Sequence, residues 1–218
     1  MNEGRCCHQL ESIHHDILRM GTLVEEAIRD ADRALSEQDL SLAESVIEGD
    51  KAIDDLERGI ETDCIRILAL RHPLASDLRT VTTALKVITD LERMGDHATD
   101  IALITVRIGV NPLIKPLVDI PRMSTLARQM VHESLDAFVR RDVALAEKVC
   151  GDDDPVDKLY SELHDELLGF IVQGDSAVRA EQALNLLFVA RYLERIADHA
   201  TNIAERVIYL VTGERVCP

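Results

Sequence analysis

The chain contains two copies of one sequence unit, and this duplication restricts the folds that it can adopt. Residues 91–102 and 193–204 are identical at nine of their twelve positions, at an offset of 102. Further matches relate 39–56 to 142–159 at an offset of 103. Because similar sequences form similar structures, we expect two related substructures of about 100 residues each.

Three prolines mark the predicted boundary between the two copies. Pro112, Pro116 and Pro121 lie close together, and proline interrupts a regular helix because it lacks a backbone N–H group. The predicted units are a first repeat over 1–110, a proline-containing linker over 111–121 and a second repeat over 122–218.

Apolar residues recur at alternating spacings of three and four, which is the pattern of packed α-helices. In the second predicted helix of the first repeat, these positions include Ala43, Val46, Ile53, Ile60 and Ile67. We call such a line of positions an apolar seam. Only 3% of the residues are aromatic, so small and branched aliphatic side chains must form the core. The pattern predicts an all-α protein in which each repeat is a bundle of three antiparallel helices.

Carboxylates interrupt these seams at matching places in both repeats. Asp50 and Glu57 occupy seam positions of the second helix, and Glu92 occupies one in the third helix. Asp54 and Asp96 follow Asp50 and Glu92 by one helical turn, which places each pair on one helix face. The corresponding acids of the second repeat are Asp153, Asp157, Glu194 and Asp198.

Half-buried acids four residues apart repel each other and are costly unless something compensates their charge. Arg93 and Arg195 follow the seam glutamates directly, but adjacent residues project about 100° apart around a helix. Protonation of the acids would remove the repulsion, and so would a cation held between the second and third helices. Asp100 and Asn202 continue the third-helix series by a further turn.

These candidate metal ligands are all oxygen donors, and such a set suits hard cations such as Mg²⁺, Mn²⁺ or Ca²⁺, or iron. The candidates are Asp50, Asp54, Glu57, Glu92, Asp96, Asp100, Asp153, Asp157, Glu194, Asp198 and Asn202. The alternative is that these acids are solvated surface charges on long helices.

The second set of acids differs from the first in two ways. Pro155 lies between Asp153 and Asp157, and it is expected to mark a helix start, because proline is tolerated in the first turn of a helix. Tyr160 stands where the first repeat has Glu57. The two sites are therefore not expected to be equivalent.

Two histidines fall within the duplicated blocks but are poorly placed as ligands. His97 and His199 come five residues after Glu92 and Glu194, which is about 140° around a helix. We interpret both as packing or surface residues.

Charge and composition limit where the chain acts and what it binds. Forty acidic and 24 basic residues give a net charge of −16, which opposes binding to a nucleic-acid backbone. No segment is apolar enough to span a bilayer, and the first residues lack the apolar core of a signal peptide. The five cysteines show no zinc-ligand spacing, so we expect reduced thiols, with a redox role for the adjacent Cys6 and Cys7 as the alternative. These features predict a cytoplasmic protein without membrane insertion.

Four segments together carry a resemblance to a known family. They are the acid-rich segment 50–57, the segment 73–79 (PLASDLR), and the two Leu-Glu-Arg-x-x-Asp-His-Ala blocks at 91–98 and 193–200. In this order, with the block duplicated, the chain resembles the PhoU family of phosphate-uptake regulators over essentially its whole length.

The resemblance implies two tandem three-helix bundles related by a pseudo-twofold axis. It also implies divalent or ferric metal ions, with iron, zinc, manganese and magnesium as candidates, at acid-x-x-x-Asp motifs on each bundle. These motifs map to Asp50/Asp54, Glu92/Asp96, Asp153/Asp157 and Glu194/Asp198.

The resemblance further implies a regulator rather than an enzyme. Its expected partners are the ATPase subunit of the phosphate ABC transporter and a membrane sensor histidine kinase, with repression of phosphate-starvation genes and limited phosphate uptake as the result. Through these partners the protein would lie at the inner face of the membrane. A homodimer is also expected.

Two other classes of protein remain as alternatives. A metal-free helical scaffold or dimerisation module would need the same bundles without ions. A diiron carboxylate enzyme of the ferritin type would need two Glu-x-x-His motifs on partner helices, whereas this chain has one, at Glu11 and His14, outside the duplicated blocks.

Overall fold

The computed structural model describes the backbone of residues 3–71, 73, 76–173 and 176–214. Cys217 and the side chains of Cys6 and Cys7 lie outside what it describes, so the redox alternative for that pair stays untested. All regular secondary structure in the described residues is α-helical. The helices are α1 (Glu3–Glu37), α2 (Leu40–Arg71), α3 (Ser76–Ile108), α4 (Asp119–Arg140), α5 (Val143–Gly151), α6 (Asp153–Gln173) and α7 (Ala177–Thr212).

Helices α1, α2 and α3 form the first bundle, and the predicted apolar seam of α2 lies in its core. Ala43, Val46, Ile53, Ile60 and Ile67 are all buried. The acids that interrupt this seam are only partly exposed. Because the seam turns this face of α2 toward the core, the acids within it lie at the boundary between core and solvent.

The turn between the first two helices of each repeat has the same construction. Gln38 and Arg141 have left-handed backbone conformations, with φ of 53° and 55°. Each is followed by an aspartate whose carboxylate accepts hydrogen bonds from backbone N–H groups of the next helix. Asp39 accepts from Leu42 at 3.0 Å, and Asp142 accepts from Leu145 at 3.0 Å. The duplication thus repeats an N-cap as well as a seam.

The second helix of the second repeat is split where the first repeat has one continuous helix. The N–H group of Asp152 donates to the carbonyls of Lys148 and Val149 and closes α5, and α6 begins at Asp153. Pro155 therefore lies in the first turn of α6, where its missing N–H group costs nothing. The sequence-based expectation that Pro155 marks a helix start is confirmed.

The two bundles pack through equivalent helices, with α1 against α4 and α3 against α7. Contact between like elements is what a twofold relation generates. The predicted all-α fold of two tandem three-helix bundles with pseudo-twofold symmetry is confirmed. Residues 109–118 connect α3 to α4 without a helix of their own. Pro121, assigned to the linker, lies in the first turn of α4, and the domain boundaries otherwise stay a prediction.

Close contacts fix the two helix pairs in place. A Cβ atom built on Gly21 of α1 would lie 2.1 Å from Leu135 Cδ1 of α4, and one built on Gly95 of α3 would lie 3.0 Å from Ile53 Cδ1 of α2. Both helix crossings therefore need glycine or a shift of the neighbouring side chain. Among the described residues, no helix is both long and apolar enough to cross a membrane.

Candidate functional site

The predicted acids of the first repeat come together at the contact between α2 and α3. Asp50, Asp54 and Glu57 extend from α2, and Glu92 and Asp96 extend from α3; each is partly buried. The helices approach closely at Gly95, where an added Cβ atom would lie 3.5 Å from Asp50 Oδ1. We call this set, with Asp100 one turn further along α3, the first carboxylate cluster.

Burial and mutual repulsion act on this cluster in the same direction. Burial raises the pKa of Asp50, and the charges of Asp96 and Asp54 raise it further, although a hydrogen bond from Thr99 opposes the shift. Burial also raises the pKa of Glu92, followed by the charge of Asp96 and, across the helix pair, that of Glu57. Acids on each helix therefore raise the pKa of an acid on the other helix.

Glu57 and Asp100 of the same cluster behave in the same way. Burial and the nearby charges of Glu61 and Asp54 raise the pKa of Glu57. Burial and the charge of Asp96 raise the pKa of Asp100. A positive charge placed among these side chains would relieve their mutual repulsion.

Two arginines already neutralise part of the first cluster. Arg58 lies 2.8 Å from Asp54, and Arg93 lies 2.9 Å from Asp96 and 3.4 Å from Glu92. The sequence-based expectation that Arg93 projects away from the acids is wrong, because its long side chain folds back along the helix surface. These arginines are largely exposed, so each ion pair contributes little to stability.

The acids of the second repeat form the second carboxylate cluster, which comprises Asp153 and Asp157 of α6 and Glu194 and Asp198 of α7. Glu194 is only 8% exposed. Burial raises the pKa of Asp153 to about 6, and the charges of Asp157, Asp198 and Glu194 add to this shift. Burial and the charge of Asp198 likewise raise the pKa values of Asp157 and Glu194.

Polar atoms in the second cluster lack partners. Asp153 Oδ1, Glu194 Oε2 and the hydroxyl of Thr201 are buried without a hydrogen bond in the described structure. A buried acceptor without a donor is costly, by about 1–3 kcal/mol. Such atoms fit a site in which a bound cation completes the coordination of the oxygens.

Tyr160 accounts for part of the difference between the two clusters. It occupies the position of Glu57, and its ring lies 5.7 Å from the guanidinium of Arg191. Arg191 in turn donates a hydrogen bond to Glu194. The first repeat has Thr89 at the position of Arg191. The second cluster has therefore lost two acids, because Asn202 also replaces Asp100. It has gained Arg191 but has Ser161 in place of Arg58. Arg195 pairs with Asp198 at 3.4 Å.

The donor chemistry of both clusters suits a hard cation, but the side chains are not gathered around one point. Within the described residues, no group of three or more His, Cys, Asp and Glu side chains is arranged to hold a metal ion. Several carboxylates instead point at arginine. Metal binding would require these carboxylates to turn toward a common centre, and the metal assignment of all eleven candidates stays a prediction.

Asn202 follows Asp198 by one turn of α7. It also lines a cavity between α3 and α7 together with Lys86 and Arg206. Asp100 lies 3.9 Å from His97 Nδ1, so it is also drawn toward the contact between the two bundles.

A buried polar group at the contact between α3 and α7 has no counterpart among the sequence-based predictions. Asp90 is 6% exposed, accepts a hydrogen bond from Arg206 Nε at 3.1 Å and lies 3.0 Å from His199 Nδ1. His97, equivalent to His199, instead stacks on Tyr192 at 5.4 Å. Asp90 and Tyr192 are themselves equivalent positions, so a single difference between the repeats gives the two histidines different roles.

Both histidines therefore pack between the bundles, with His199 against Asp90 and His97 near Asp100. Burial, together with the nearby His199, lowers the pKa of His97 to about 4, so His97 is neutral near pH 7. The Glu11 and His14 motif lies on α1, where His14 contacts Phe138 edge-on at 5.3 Å. That places it at the contact of α1 with α4, away from both carboxylate clusters.

Comparison with known proteins decides the family. The sequence model of the PhoU domain matches this chain twice, over residues 17–105 and 120–207. The chain belongs to the PhoU family. The phosphate-specific transport system accessory protein PhoU homolog of Clostridium acetobutylicum is 42% identical over 95% of this chain and 94% of its own length. The accessory protein PhoU of Escherichia coli is 37% identical over 97% of this chain and 87% of its own length.

Solved structures support the same assignment. The crystal structure of PhoU from Pseudomonas aeruginosa superimposes with a TM-score of 0.89 at 40% identity, over 95% of this chain and 99% of that chain. The phosphate transport system regulatory protein PhoU from Streptococcus pneumoniae gives a TM-score of 0.89 at 34% identity, over 98% and 100% of the two chains. These relatives are described as accessory or regulatory proteins rather than as enzymes.

Proposed function

We propose that this chain is an accessory regulator of phosphate uptake that also represses phosphate-starvation genes. The observation that carries the proposal is the extent of the similarity, which spans 95% of this chain and 94% of an accessory protein of a phosphate-specific transport system. Both repeats are included in that match, so the proposal applies to the two bundles as one unit.

The proposed partners are the ATPase subunit of the phosphate ABC transporter and a membrane sensor histidine kinase. The chain acts as an adaptor between them in the cytoplasm, at the inner face of the membrane, as a homodimer. Two packed bundles of long helices offer a rigid, extended surface to such partners. The net charge of −16 favours partner surfaces rich in Lys and Arg, and it speeds encounter with them.

We propose in addition that each carboxylate cluster binds metal. Asp50, Asp54, Glu92 and Asp96 would hold it in the first repeat, and Asp153, Asp157, Glu194 and Asp198 would hold it in the second. A bound cation would supply positive charge that offsets the repulsion among these acids. The buried, unpartnered oxygens of Asp153 and Glu194 and the upward pKa shifts in both clusters support this assignment.

Metal binding would affect how the second and third helices of each repeat are held together. Acids from α2 and α3, or from α6 and α7, would be held together more firmly when their repulsion is removed. A metal-loaded bundle then has its second and third helices fixed to each other and presents a less negative surface. Partner binding would in this way depend on metal occupancy.

The arginine contacts favour a second candidate, a metal-free scaffold. Arg58, Arg93, Arg191 and Arg195 each pair with an acid of a cluster, and these contacts supply part of the compensation without an ion. In that case the clusters would serve partner contact or solubility alone.

A reporter experiment tests the regulatory proposal. Cells that lack this gene should express a phosphate-starvation reporter even in high phosphate, and the wild-type gene should restore repression. Co-purification of the chain with the transporter ATPase subunit and with the kinase should be detected in the complemented cells. A reporter that ignores the deletion would contradict the regulatory role.

A matched pair of variants separates the two candidates. Asp153→Asn together with Glu194→Gln removes charge from the second cluster, and Asp55→Asn removes an exposed charge next to the first. On the metal-dependent proposal, the first variant loses repression and the second keeps it. Full repression by both variants would favour the metal-free scaffold.

A further inference from the structure

A cavity of about 420 Å³ opens between α3 and α7. Its lining includes Lys86 and Thr83 of α3 and Asn202, Arg206 and Tyr209 of α7. Volumes of about 300–1,000 Å³ are typical of small-molecule sites. The cavity is therefore large enough for a small organic ligand.

Most polar groups in this cavity are hydrogen-bond donors, and several are not engaged elsewhere. Arg206 uses Nε to donate to Asp90, which leaves both terminal nitrogens of the guanidinium for another acceptor. Among the described residues, no ion pair or hydrogen bond engages Lys86, and none engages the side chains of Asn202 or Tyr209. A fixed guanidinium beside a mobile ammonium is a combination that binds phosphate groups.

One acid also lines the cavity. Glu205 lies beside Arg206 on α7, and its charge contributes to the raised pKa of Cys150 on α5. Its carboxylate is thus close to α5 as well as to the cavity. Asp90, the other nearby acid, is already paired with Arg206 and His199. In a chain of net charge −16, a concave surface with two cations is an exception.

The pseudo-twofold relation provides an internal comparison. The equivalent groove on the other side of the interface has Phe188 in place of Lys86 and Ile104 in place of Arg206. Leu103 replaces Glu205 there, and Phe188 and Leu103 are 44% and 45% exposed. Since α3 and α7 pack at that groove without these charged groups, helix packing does not require Lys86 at the cavity.

We propose that this cavity binds a phosphate group, carried either by inorganic phosphate or by a small phosphorylated molecule such as a nucleotide. Lys86 and the terminal nitrogens of Arg206 would contact the phosphate oxygens, and Asn202 and Thr83 would add neutral donors. The ring of Tyr209 lies where an organic part of the ligand would pack. This site goes beyond the regulatory proposal and does not depend on it, since it uses none of the carboxylate pairs.

Calorimetric titration of the purified chain with orthophosphate, AMP, ATP and adenosine tests the proposal. The titrations use low salt, because exposed charges are screened at high ionic strength, and contain chelator, so that metal at the carboxylate clusters cannot mediate binding. At least one phosphate compound should bind with a Kd below about 1 mM, and adenosine should not bind. Similar affinities for orthophosphate and the nucleotides would identify free phosphate as the ligand; binding of nucleotides alone would identify a phosphorylated molecule.

Three variants connect the binding to the cavity. Lys86→Gln removes an exposed, unpartnered cation without disturbing the core and should weaken binding by about tenfold, and Glu205→Gln should tighten it several-fold. Arg107→Gln changes an exposed cation of the equivalent groove and should leave binding unchanged. Absence of binding by every phosphate compound at millimolar concentration would overturn the proposal. So would affinity in Lys86→Gln equal to that of the wild-type chain.

Discussion

At the scale of single residues, the chain places several acids where their charge is not fully compensated. Asp32 of α1 is an example outside both carboxylate clusters. Burial raises its pKa to about 6, although a hydrogen bond from Ser124 and the charge of Arg128 act against the shift. One of its carboxylate oxygens is buried without a partner.

Asp32→Asn should stabilise the protein near pH 7. The folded chain binds the Asp32 proton more tightly than the unfolded chain, so ionisation costs stability once the pH is above 6. This cost decreases as the pH falls from about 6 to about 4, below which both states are protonated. A change in pKa from 3.8 to about 6 corresponds to at most about 3 kcal/mol. Urea unfolding at pH 7.5 and at pH 4 measures the difference.

The exposed Asp55→Asn variant is the control for this experiment. Its effect on the free energy of unfolding should stay within about 0.5 kcal/mol at both pH values. If Asp32→Asn destabilises the chain at pH 7.5, the carboxylate is better compensated by Arg128 than the structure indicates.

Residue patterns in the sequence predicted which acids interrupt the apolar seams, but not what surrounds them. Spacing along a helix fixes the direction of Cα–Cβ bonds, and it does not fix where a long arginine side chain ends. The Arg93 side chain therefore pairs with Glu92 and Asp96, although its position on the helix predicted that it would point away from them. Similarly, nothing local indicated that Tyr160 would hold Arg191 against Glu194, because the two residues lie on different helices.

At the scale of helices, close approach is the feature that sequence spacing does not reveal. Gly21→Ala places a methyl group 2.1 Å from Leu135 Cδ1 at the contact of α1 with α4. We expect the free energy of unfolding to fall by about 1 kcal/mol, since an overpacking cost of about 1–3 kcal/mol exceeds the gain in helix propensity.

The control is Gly49→Ala in α2, where an added Cβ atom meets nothing within 4 Å. This change should stabilise the chain by up to about 1 kcal/mol. Thermal unfolding of the two variants gives the comparison, and equal gains in both would show that α1 and α4 are not in close contact.

The carboxylate pairs act at the same scale, because they join neighbouring helices. Glu92→Ala combined with Asp96→Ala should lower the Tm of protein loaded with Mn²⁺, since α3 would lose its share of the ligands. In chelator the same change should leave the Tm nearly unaltered, because it removes repulsion and two exposed ion pairs of small value. Differential scanning calorimetry in both conditions measures this. An equal loss of Tm with chelator would contradict a structural role for metal.

The helices themselves were largely predictable. Heptad spacing identified the buried face of α2, and Pro155 identified the start of α6. The close packing at Gly21 was not predictable, because the apolar pattern specifies which face is buried but not the distance to the next helix. The helix break near Asp152 was predictable from Pro155. The backbone hydrogen bonds by which Asp152 closes α5 were not.

At the scale of the whole molecule, duplication predicted two bundles but not the surface that joins them. The packing of α1 on α4 and α3 on α7 follows from the pseudo-twofold relation, and it brings together residues that are far apart in the sequence. Lys86 and Arg206 belong to different repeats, as do Asp90 and His199. Their grouping into a cavity and a buried polar cluster could not be inferred from spacing within one helix.

The two repeats differ in their acids and in their second helices, so the pseudo-twofold relation between them is not exact. The second repeat has fewer acids in its carboxylate cluster and a split second helix. The first repeat keeps the fuller acid set and a continuous α2. We expect the first cluster to hold metal more tightly than the second, because it has six carboxylates against four, while two arginines pair with each cluster.

Elemental analysis tests the central claim, that the duplicated carboxylate clusters are metal sites of a phosphate regulator. The chain is purified without chelator, beside a variant in which Glu92, Asp96, Glu194 and Asp198 are changed to Ala. We predict bound metal in the wild-type chain and its loss in the variant. Equal metal contents in the two proteins, or none in either, would contradict the claim and leave the clusters as sites of surface charge or partner contact.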